Sequence, residues 1–164
     1  MPLTDRATPS IYLQAKKLVQ QAVIALHLDG LNEKEIVIRE WPWTETNIFR
    51  GITVWGNKLG NYPGSNYRLG NGYAVVLSMI LLADGATAGD EASDRLPLWK
   101  SSIKRRFHDM QVPGLAWPGA THNSCTFQDW NLKIPAKHQA GGTRFVGDQC
   151  IIWYWVRESK DFGD

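Results

Sequence analysis

An amphipathic pattern near the start of the chain predicts the first helix. Apolar side chains recur at intervals of three and four residues from Tyr12 to Leu26, and this spacing forms one face of an α-helix. Ser10 is a suitable N-cap, and Gly30 is placed to end the helix. Polar residues between them fall largely on the opposite side, so one face is expected to pack on a core.

A second amphipathic helix is predicted from Pro97 onwards. Trp99, Ile103 and Phe107 follow at intervals of four residues and form one apolar face. Proline is favoured in the first turn of a helix. We therefore expect the helix to begin at Pro97 and residues 84–90 to form a loop.

Five segments have the β-branched or alternating composition of strands. They are residues 36–39, 51–55, 73–83, 123–132 and 144–157. The third segment is apolar on both faces, which predicts a central strand covered on both sides. Helices would cover one side, and a neighbouring subunit is one interpretation of the other. The side chains expected to meet in the core are Leu18, Val23, Leu26, Val75, Leu77, Trp99, Ile103 and Phe107.

These elements predict an α+β fold. We expect a single domain over residues 1–164, with a single mostly antiparallel sheet of about five strands. Two helices would pack on one face of it, in the order α-β-β-β-α-β-β. Residues 1–9 and 158–164 are predicted to be flexible arms. Two long loops, 56–72 and 133–142, are rich in turn-forming residues; such loops are usually functional or disordered, and a floppy insertion is the plain alternative.

Composition narrows the classes of function. A length of 164 residues suits one domain with a full core. The 18 basic and 16 acidic residues nearly cancel, which argues against a dedicated nucleic-acid binder. The N-terminal segment has no apolar signal-peptide region, and the longest apolar run, 74–83, is too short to span a bilayer. A soluble protein made in a cytoplasm is expected.

No catalytic signature is recognisable in the sequence, which lacks the nucleophile elbow, the phosphate-binding loop and the zinc-protease motif. His122 and Cys125 are three residues apart and can share a metal ion, but a fourth ligand is not apparent. A core thiol beside a surface histidine is favoured. Cys125 and Cys150 are predicted to be reduced thiols. We expect no catalytic residue, no cofactor and no metal site.

The cations of the second helix and the tryptophans of the last strand can each be interpreted in two ways. The cations between Lys100 and Arg106 crowd one side of the second helix. They form a solvated face, or they contact a neighbouring subunit or DNA phosphates. Trp153 and Trp155, two of eight tryptophans, share one face of the last strand. They form a flat aromatic platform for sugar rings or bases, or they lie buried under the helices, which we favour.

The order of elements resembles that of the tail terminator proteins of long-tailed bacteriophages. VQQAVIALHLDGLNEKEIVI at 19–38 is similar to their opening helix and first strand, and GITV at 51–54 to their second strand. GYAVVLSMI at 72–80 resembles their central strand. DRLPLWK at 94–100, with the basic residues after it, resembles their second helix. The resemblance covers residues 11–157.

The resemblance implies a structural virion protein without enzymatic activity. Such proteins form a ring, expected here to be a hexamer, that caps the tail tube, ends its polymerisation and joins the tail to the head. The implied location is the head–tail junction of the virion, and the host cytoplasm during assembly. Implied partners are further copies of the chain, the tail tube protein, the neck stopper or connector and, in contractile tails, the sheath. DNA passes through without specific binding, and no membrane is involved.

Two alternative functions stay open. One is a related neck stopper or connector protein, and the other is a small carbohydrate- or peptide-binding module that uses the aromatic face of the last strand. An enzyme is the least favoured class. Side chains in the long loops and on the basic helix suit interface anchors. The candidate subunit or ring interface residues are Tyr62, Tyr67, Arg68, Arg105, Arg106, Lys137 and His138.

Overall fold

A computed structural model describes residues 7–61, 68–83, 85–107, 121–139 and 144–159. The helices and strands, in chain order, are α1 (Ala7–Ala25), β1 (Ile36–Ile38), β2 (Gly51–Asn61), β3 (Arg68–Ala83), α2 (Gly85–Phe107), β4 (Thr121–Trp130) and β5 (Arg144–Ser159). Two short 3₁₀ helices, Glu33–Glu35 and Ala136–Gln139, interrupt the predicted order. The fold is therefore α+β, with two helices and a mixed sheet.

The strands are arranged in the order β1-β2-β3-β5-β4. β1 pairs with β2 in parallel, and the β2–β3, β3–β5 and β5–β4 pairs are antiparallel. Parallel neighbours need a connection that returns the chain to the same end of the sheet. Residues 39–50 make this connection, and the prediction of a mostly antiparallel sheet did not include the parallel pair.

The first helix is displaced from its predicted bounds. It begins at Ala7 and ends at Ala25, whereas Ser10 and Gly30 were the predicted start and end. The next two residues bond to carbonyls three positions back, which tightens the final turn. His27 then adopts a φ of 49°, a left-handed conformation in which histidine is enriched. The chain therefore leaves the helix before it reaches Gly30.

The second helix is longer than predicted. It begins at Gly85, so the predicted loop 84–90 is wrong over residues 85–90. Pro97 lies inside the helix and is exposed, where it removes one backbone hydrogen bond. Alanine and acidic residues before Pro97 are helix formers or are tolerated in helices, so the helical stretch extends on both sides of the proline.

The predicted loop 56–72 is mostly strand. β2 continues past a bulge between Gly56 and Leu59, and Leu59 pairs with Tyr73 of β3. β3 is paired with β5 from its first residue. Glycine is a poor strand former, but pairing on both sides of β3 holds this segment extended.

The predicted loop 133–142 and the predicted arms also contain regular structure where the chain is described. The predicted loop 133–142 contains the 3₁₀ helix Ala136–Gln139. The Gln139 side chain exchanges two hydrogen bonds of 2.8 Å with the Phe145 backbone and so fastens this helix to β5. In the predicted arms, residues 7–9 belong to α1 and residues 158–159 to β5; the remainder lies outside the described residues.

Both helices pack on one face of the sheet, here called the helix face. Ala15, Val19 and Val23 of α1 are completely buried in one cluster with residues of α2 and of alternate strand positions. Of the expected core residues, Leu18 and Leu26 are only half-buried and the others are buried. The three-and-four residue spacing therefore located the buried faces correctly.

The opposite face of the sheet is buried by the chain itself. Ala74 and Val76 of β3 are 0% and 1% exposed, in a second cluster with Trp55, Ile151 and Trp153. Each of these residues belongs to the same chain, so a neighbouring subunit is not needed to bury Ala74 and Val76. A subunit contact on this side of the sheet stays a prediction.

Candidate subunit interface

The predicted interface residues of the β2–β3 turn fall at the limit of the described chain. Tyr62 and Tyr67 lie outside the described residues. Arg68 is the first residue of β3, where its backbone pairs with Ser159 of β5. The Arg68 side chain also lies outside the described residues. The interface role of Tyr62, Tyr67 and Arg68 therefore stays a prediction.

Lys137 and His138 contact another part of the same chain. The Lys137 ammonium lies 3.2 Å from the Glu45 carboxylate, and both side chains are largely exposed. The His138 ring is tilted against Trp43, with ring centroids 6.4 Å apart. The 3₁₀ helix that carries them is thus docked on the connection between β1 and β2.

The last turn of α2 presents a cluster of cations, named here the basic ridge: Lys104, Arg105 and Arg106. Lys104 and Arg105 are exposed and Arg106 is half-buried. The Arg106 guanidinium lies 5.5 Å from the Phe107 ring, and the Lys104 ammonium 6.0 Å from the Phe127 ring. Cations in this position also interact favourably with the helix dipole.

Lys100 does not belong to the solvated face on which it was predicted. Its ammonium donates to Asp148 Oδ1 at 2.7 Å and to the Trp130 carbonyl at 3.1 Å, and it forms an ion pair with Asp129. Its side chain is 15% exposed. Burial opposes the charge on Lys100, but the hydrogen bonds to the two carboxylates outweigh it and raise the pKa of Lys100. Lys100 therefore fastens α2 to β4 and β5.

Replacing Lys100 by methionine is expected to lower the free energy of unfolding by about 1–2 kcal/mol, because Asp148 then lacks its charged donor. The exposed Asp129 contributes little, since screened surface pairs are weak. Chemical denaturation of Lys100→Met measures the loss. Lys104→Met is the matched control and should change the free energy of unfolding by less than about 0.5 kcal/mol; equal effects of the two substitutions would contradict the assignment.

The basic ridge lies beside an edge of the sheet. From Lys100 to Phe107, α2 runs along β4 in the opposite direction: Lys100 meets Trp130, Lys104 meets Phe127, and the Cys125 thiol donates to the Phe107 carbonyl at 3.3 Å. In the described part of the chain β4 pairs only with β5. The cations are therefore grouped along one border of the sheet.

Trp153 and Trp155 lie on the face of the sheet opposite the helices, so the favoured prediction that the helices bury them is wrong. Their strand partners Ala74 and Gly72 alternate with the β3 residues that face the helices. The two indoles are stacked, with centroids 5.2 Å apart and planes 10° apart. Each ring thus takes the other as a stacking partner, and the pair is not the flat platform of the alternative prediction.

The indole nitrogens of this pair are engaged within the sheet. Trp153 Nε1 donates to Gln128 Oε1 at 2.6 Å, and Trp155 Nε1 donates to Thr126 Oγ1 at 2.9 Å. Both acceptors are on β4. These bonds hold the two rings in place and favour a structural role over sugar binding.

The glycines of β2 and β3 make room for these indoles. A Cβ added at Gly60 would lie 2.8 Å from the Trp153 ring, and one at Gly72 would lie closer still to the Trp155 ring. Such distances are too short for a side chain without a shift of the ring. The glycine-rich composition that suggested a loop is therefore a packing requirement of two paired strands.

The two cysteines are buried and form no disulfide. Burial raises the pKa of the Cys150 thiol, which disfavours the reactive thiolate. The side chain of His122 lies outside the description. Among the described residues, no group of three or more His, Cys, Asp or Glu side chains is placed to hold a metal ion.

Two half-exposed tryptophans lie near the first and last strands of the sheet, and the sequence alone assigned neither of them a role. Trp41, just after β1, is 50% exposed, and Trp130, at the end of β4, is 47% exposed. β1 and β4 are the first and last strands in the sheet order. The large number of tryptophans was the signal, but the sequence alone does not separate buried from exposed ones.

Comparison with protein-family models and with curated protein sequences gave no match for this chain. In the described part of the chain, no helix combines the length and apolar character that crossing a membrane requires.

Proposed function

We propose that this chain is a structural ring subunit of the tail terminator type. In this role it caps the tail tube of a long-tailed bacteriophage, ends tube polymerisation and joins the tail to the neck. The observation that carries the proposal is the succession α1, β1, β2, β3, α2, β4 and β5, with both helices on one face of the sheet. Apart from the two 3₁₀ helices, this is the succession on which the resemblance to tail terminators rests.

The two exposed tryptophans also support a subunit that assembles. Tryptophan is enriched in protein interfaces because it supplies a large contact area with few rotatable bonds. Trp41 follows β1 and packs edge-on against Trp55 of β2, and Trp130 is the last residue of β4 at the other edge of the sheet. A ring needs two different contact surfaces on each subunit, since its interfaces are head-to-tail.

The position of the basic ridge agrees with the same role. A conduit for DNA must not hold phosphates tightly, because each neutralised phosphate adds salt-sensitive affinity. The cations of the ridge are grouped beside β4, where a neighbouring subunit would meet them. The proposed ring therefore uses them for contacts between subunits, and DNA passes without specific binding.

The test combines the mass in solution with an assay of tube capping. Light scattering and negative-stain images should give a ring of six copies of the 18.5 kDa chain. When the chain is added to tubes growing from the cognate tail tube protein, elongation should stop and one ring should appear at the tube end. An unchanged distribution of tube lengths, with no protein at the ends, would refute the proposal. Tight binding to duplex DNA at physiological salt would favour a nucleic-acid-binding module instead.

A further inference from the structure

In the described part of the chain, the outer edge of β4 has no neighbouring strand. The strand registers show which of its backbone groups face outwards, because facing residues of an antiparallel pair point either towards each other or both away. The Val54 carbonyl of β2 accepts from the Arg39 N–H on the β1 side, so the partner of Val54, Leu77, faces Cys150 of β5. Cys150 therefore faces away from Asp129 of β4, and the backbone of Asp129 points outwards.

The open part of this edge is short. Phe127 is two residues before Asp129 and faces outwards in the same way; Phe127 is half-buried and Asp129 is exposed. Cys125, the next outward position, is completely buried. The outward N–H and C=O groups of Phe127 and Asp129, named here the β4 edge, are enough for a short extended segment to add as a further strand.

Cations flank the β4 edge on the helix face. The Lys104 ammonium lies 6.0 Å from the Phe127 ring, and the exposed Arg105 follows it on α2. In the described part of the chain, no carboxylate lies within ion-pair distance of the basic ridge. The Asp129 carboxylate is held by Lys100, so the ridge has charge available for a partner.

The net charge beside the edge stays positive when the neighbouring acids are counted. Lys100 and the three cations of the basic ridge, against the carboxylates of Asp129 and Asp148, leave a charge of +2. In the sequence, Asp109 follows the ridge and Lys133 follows β4, and their charges cancel. An acidic segment is therefore attracted to this edge, and a basic one is repelled.

The opposite face of the same edge is uncharged. Trp130 lies on it and is 47% exposed, and the half-buried Gln128 beside it accepts from Trp153 Nε1. Side chains of an added strand alternate between the two faces. Those on the side of the basic ridge should be acidic, and those on the side of Trp130 should be apolar.

We infer that the β4 edge binds an extended segment of another protein chain, in which acidic residues alternate with apolar ones. The segment adds to the sheet as a further strand, its backbone bonds Phe127 and Asp129, and its carboxylates face Lys104 and Arg105. A nucleic acid fits less well, because phosphate oxygens do not donate to the C=O groups of the edge. The inference goes beyond the proposed function and does not require it, since any partner with such a segment fits.

Binding of a labelled, end-blocked peptide with glutamate and valine at alternate positions tests the inference. Fluorescence anisotropy measures it at dilutions where light scattering shows single chains, so that neighbouring copies do not compete. Lysine in place of glutamate in the peptide, or Lys104→Glu with Arg105→Glu in the protein, should weaken binding about 10-fold or more. The matched control, Lys34→Glu with Arg144→Glu, reverses two exposed cations elsewhere and should change binding less than about 2-fold, because distant surface charges are screened.

N-methylation of the peptide separates strand addition from plain charge attraction. A methylated peptide keeps its carboxylates but cannot donate to the edge, and should bind about 10-fold or more weakly. Phe127→Pro removes an outward donor from the protein without breaking the pairing with β5 and should also weaken binding. Phe127→Ala is its control because it too lacks the ring, and circular dichroism checks that both chains are folded.

Equal binding of the plain and methylated peptides, or no loss on reversal of Lys104 and Arg105, would overturn the inference. So would the absence of binding up to about 1 mM of the glutamate peptide. Tighter binding of single-stranded DNA than of this peptide at physiological salt would assign the ridge to nucleic acid instead. These measurements use no tail tubes, so failure of this inference and failure of the proposed function are separate results.

Discussion

A chain with alanine in place of Trp99 is expected to lose about 3–5 kcal/mol of its free energy of unfolding, the range found when large aromatic core residues are truncated. Trp99 is 1% exposed and lies in the centre of the buried face of α2. Its Nε1 donates to the Asp29 carbonyl at 2.8 Å. The substitution leaves a cavity, removes this hydrogen bond and separates α2 from the segment after α1.

Chemical denaturation followed by fluorescence and circular dichroism measures the loss. Leu98→Ala is the matched control, because Leu98 is the preceding residue and is 63% exposed; its effect should stay below about 0.5 kcal/mol. Trp99→Phe keeps most of the apolar volume but removes the donor, so its cost should be intermediate. Equal stabilities of Trp99→Ala and Leu98→Ala would show that α2 does not pack as described.

The buried faces of both helices could be predicted because they depend on spacing within a short stretch of chain. Val19 and Val23, or Ile103 and Phe107, are four residues apart and fall on one face wherever the helix packs. The helix ends were less predictable. His27 leaves the helix by a left-handed conformation that glycine was expected to supply, and Pro97 lies within a helix that it was expected to begin.

The prediction of a loop at 56–72 was wrong because residues far away in the sequence decide the structure of this segment. Glycine and asparagine indicate loops when only the local sequence is considered. Here Gly60 and Gly72 are required by Trp153 and Trp155, which are distant in sequence and become neighbours only when β3 pairs with β5. The same limit explains Lys100, whose partners Asp129 and Asp148 come from two later strands.

The candidate interface shows the same division between local and long-range information. The basic ridge could be predicted, since successive cations on a helix with an apolar face must lie on the other side. Its position beside β4 depends on the sheet order. The parallel pairing of β1 with β2 depends on long-range contacts in the same way, and it requires a close approach of β1 to the start of β2.

Gly51 is the residue that permits this approach, and Gly51→Ala is expected to cost about 2–5 kcal/mol by the combined effects of backbone strain and overpacking. Gly51 has a φ of 104°, a conformation that residues with a Cβ rarely adopt. A Cβ at this position would lie 2.8 Å from the Glu35 Cβ and closer still to the Glu35 carbonyl oxygen. The backbone before β1 would have to move, and the ion pair between Glu35 and Arg50 would move with it.

Gly56→Ala is the informative comparison, because a Cβ there would meet the Tyr12 side chain and not backbone. Combining it with Tyr12→Leu should recover part of its cost, whereas truncating Glu35 to alanine should not rescue Gly51→Ala, since the carbonyl remains. Denaturation of the single and double variants measures both couplings. A Gly51→Ala chain within about 0.5 kcal/mol of the parent would show that the backbone before β1 moves aside at little cost, and would contradict the strain and overpacking argued for this position.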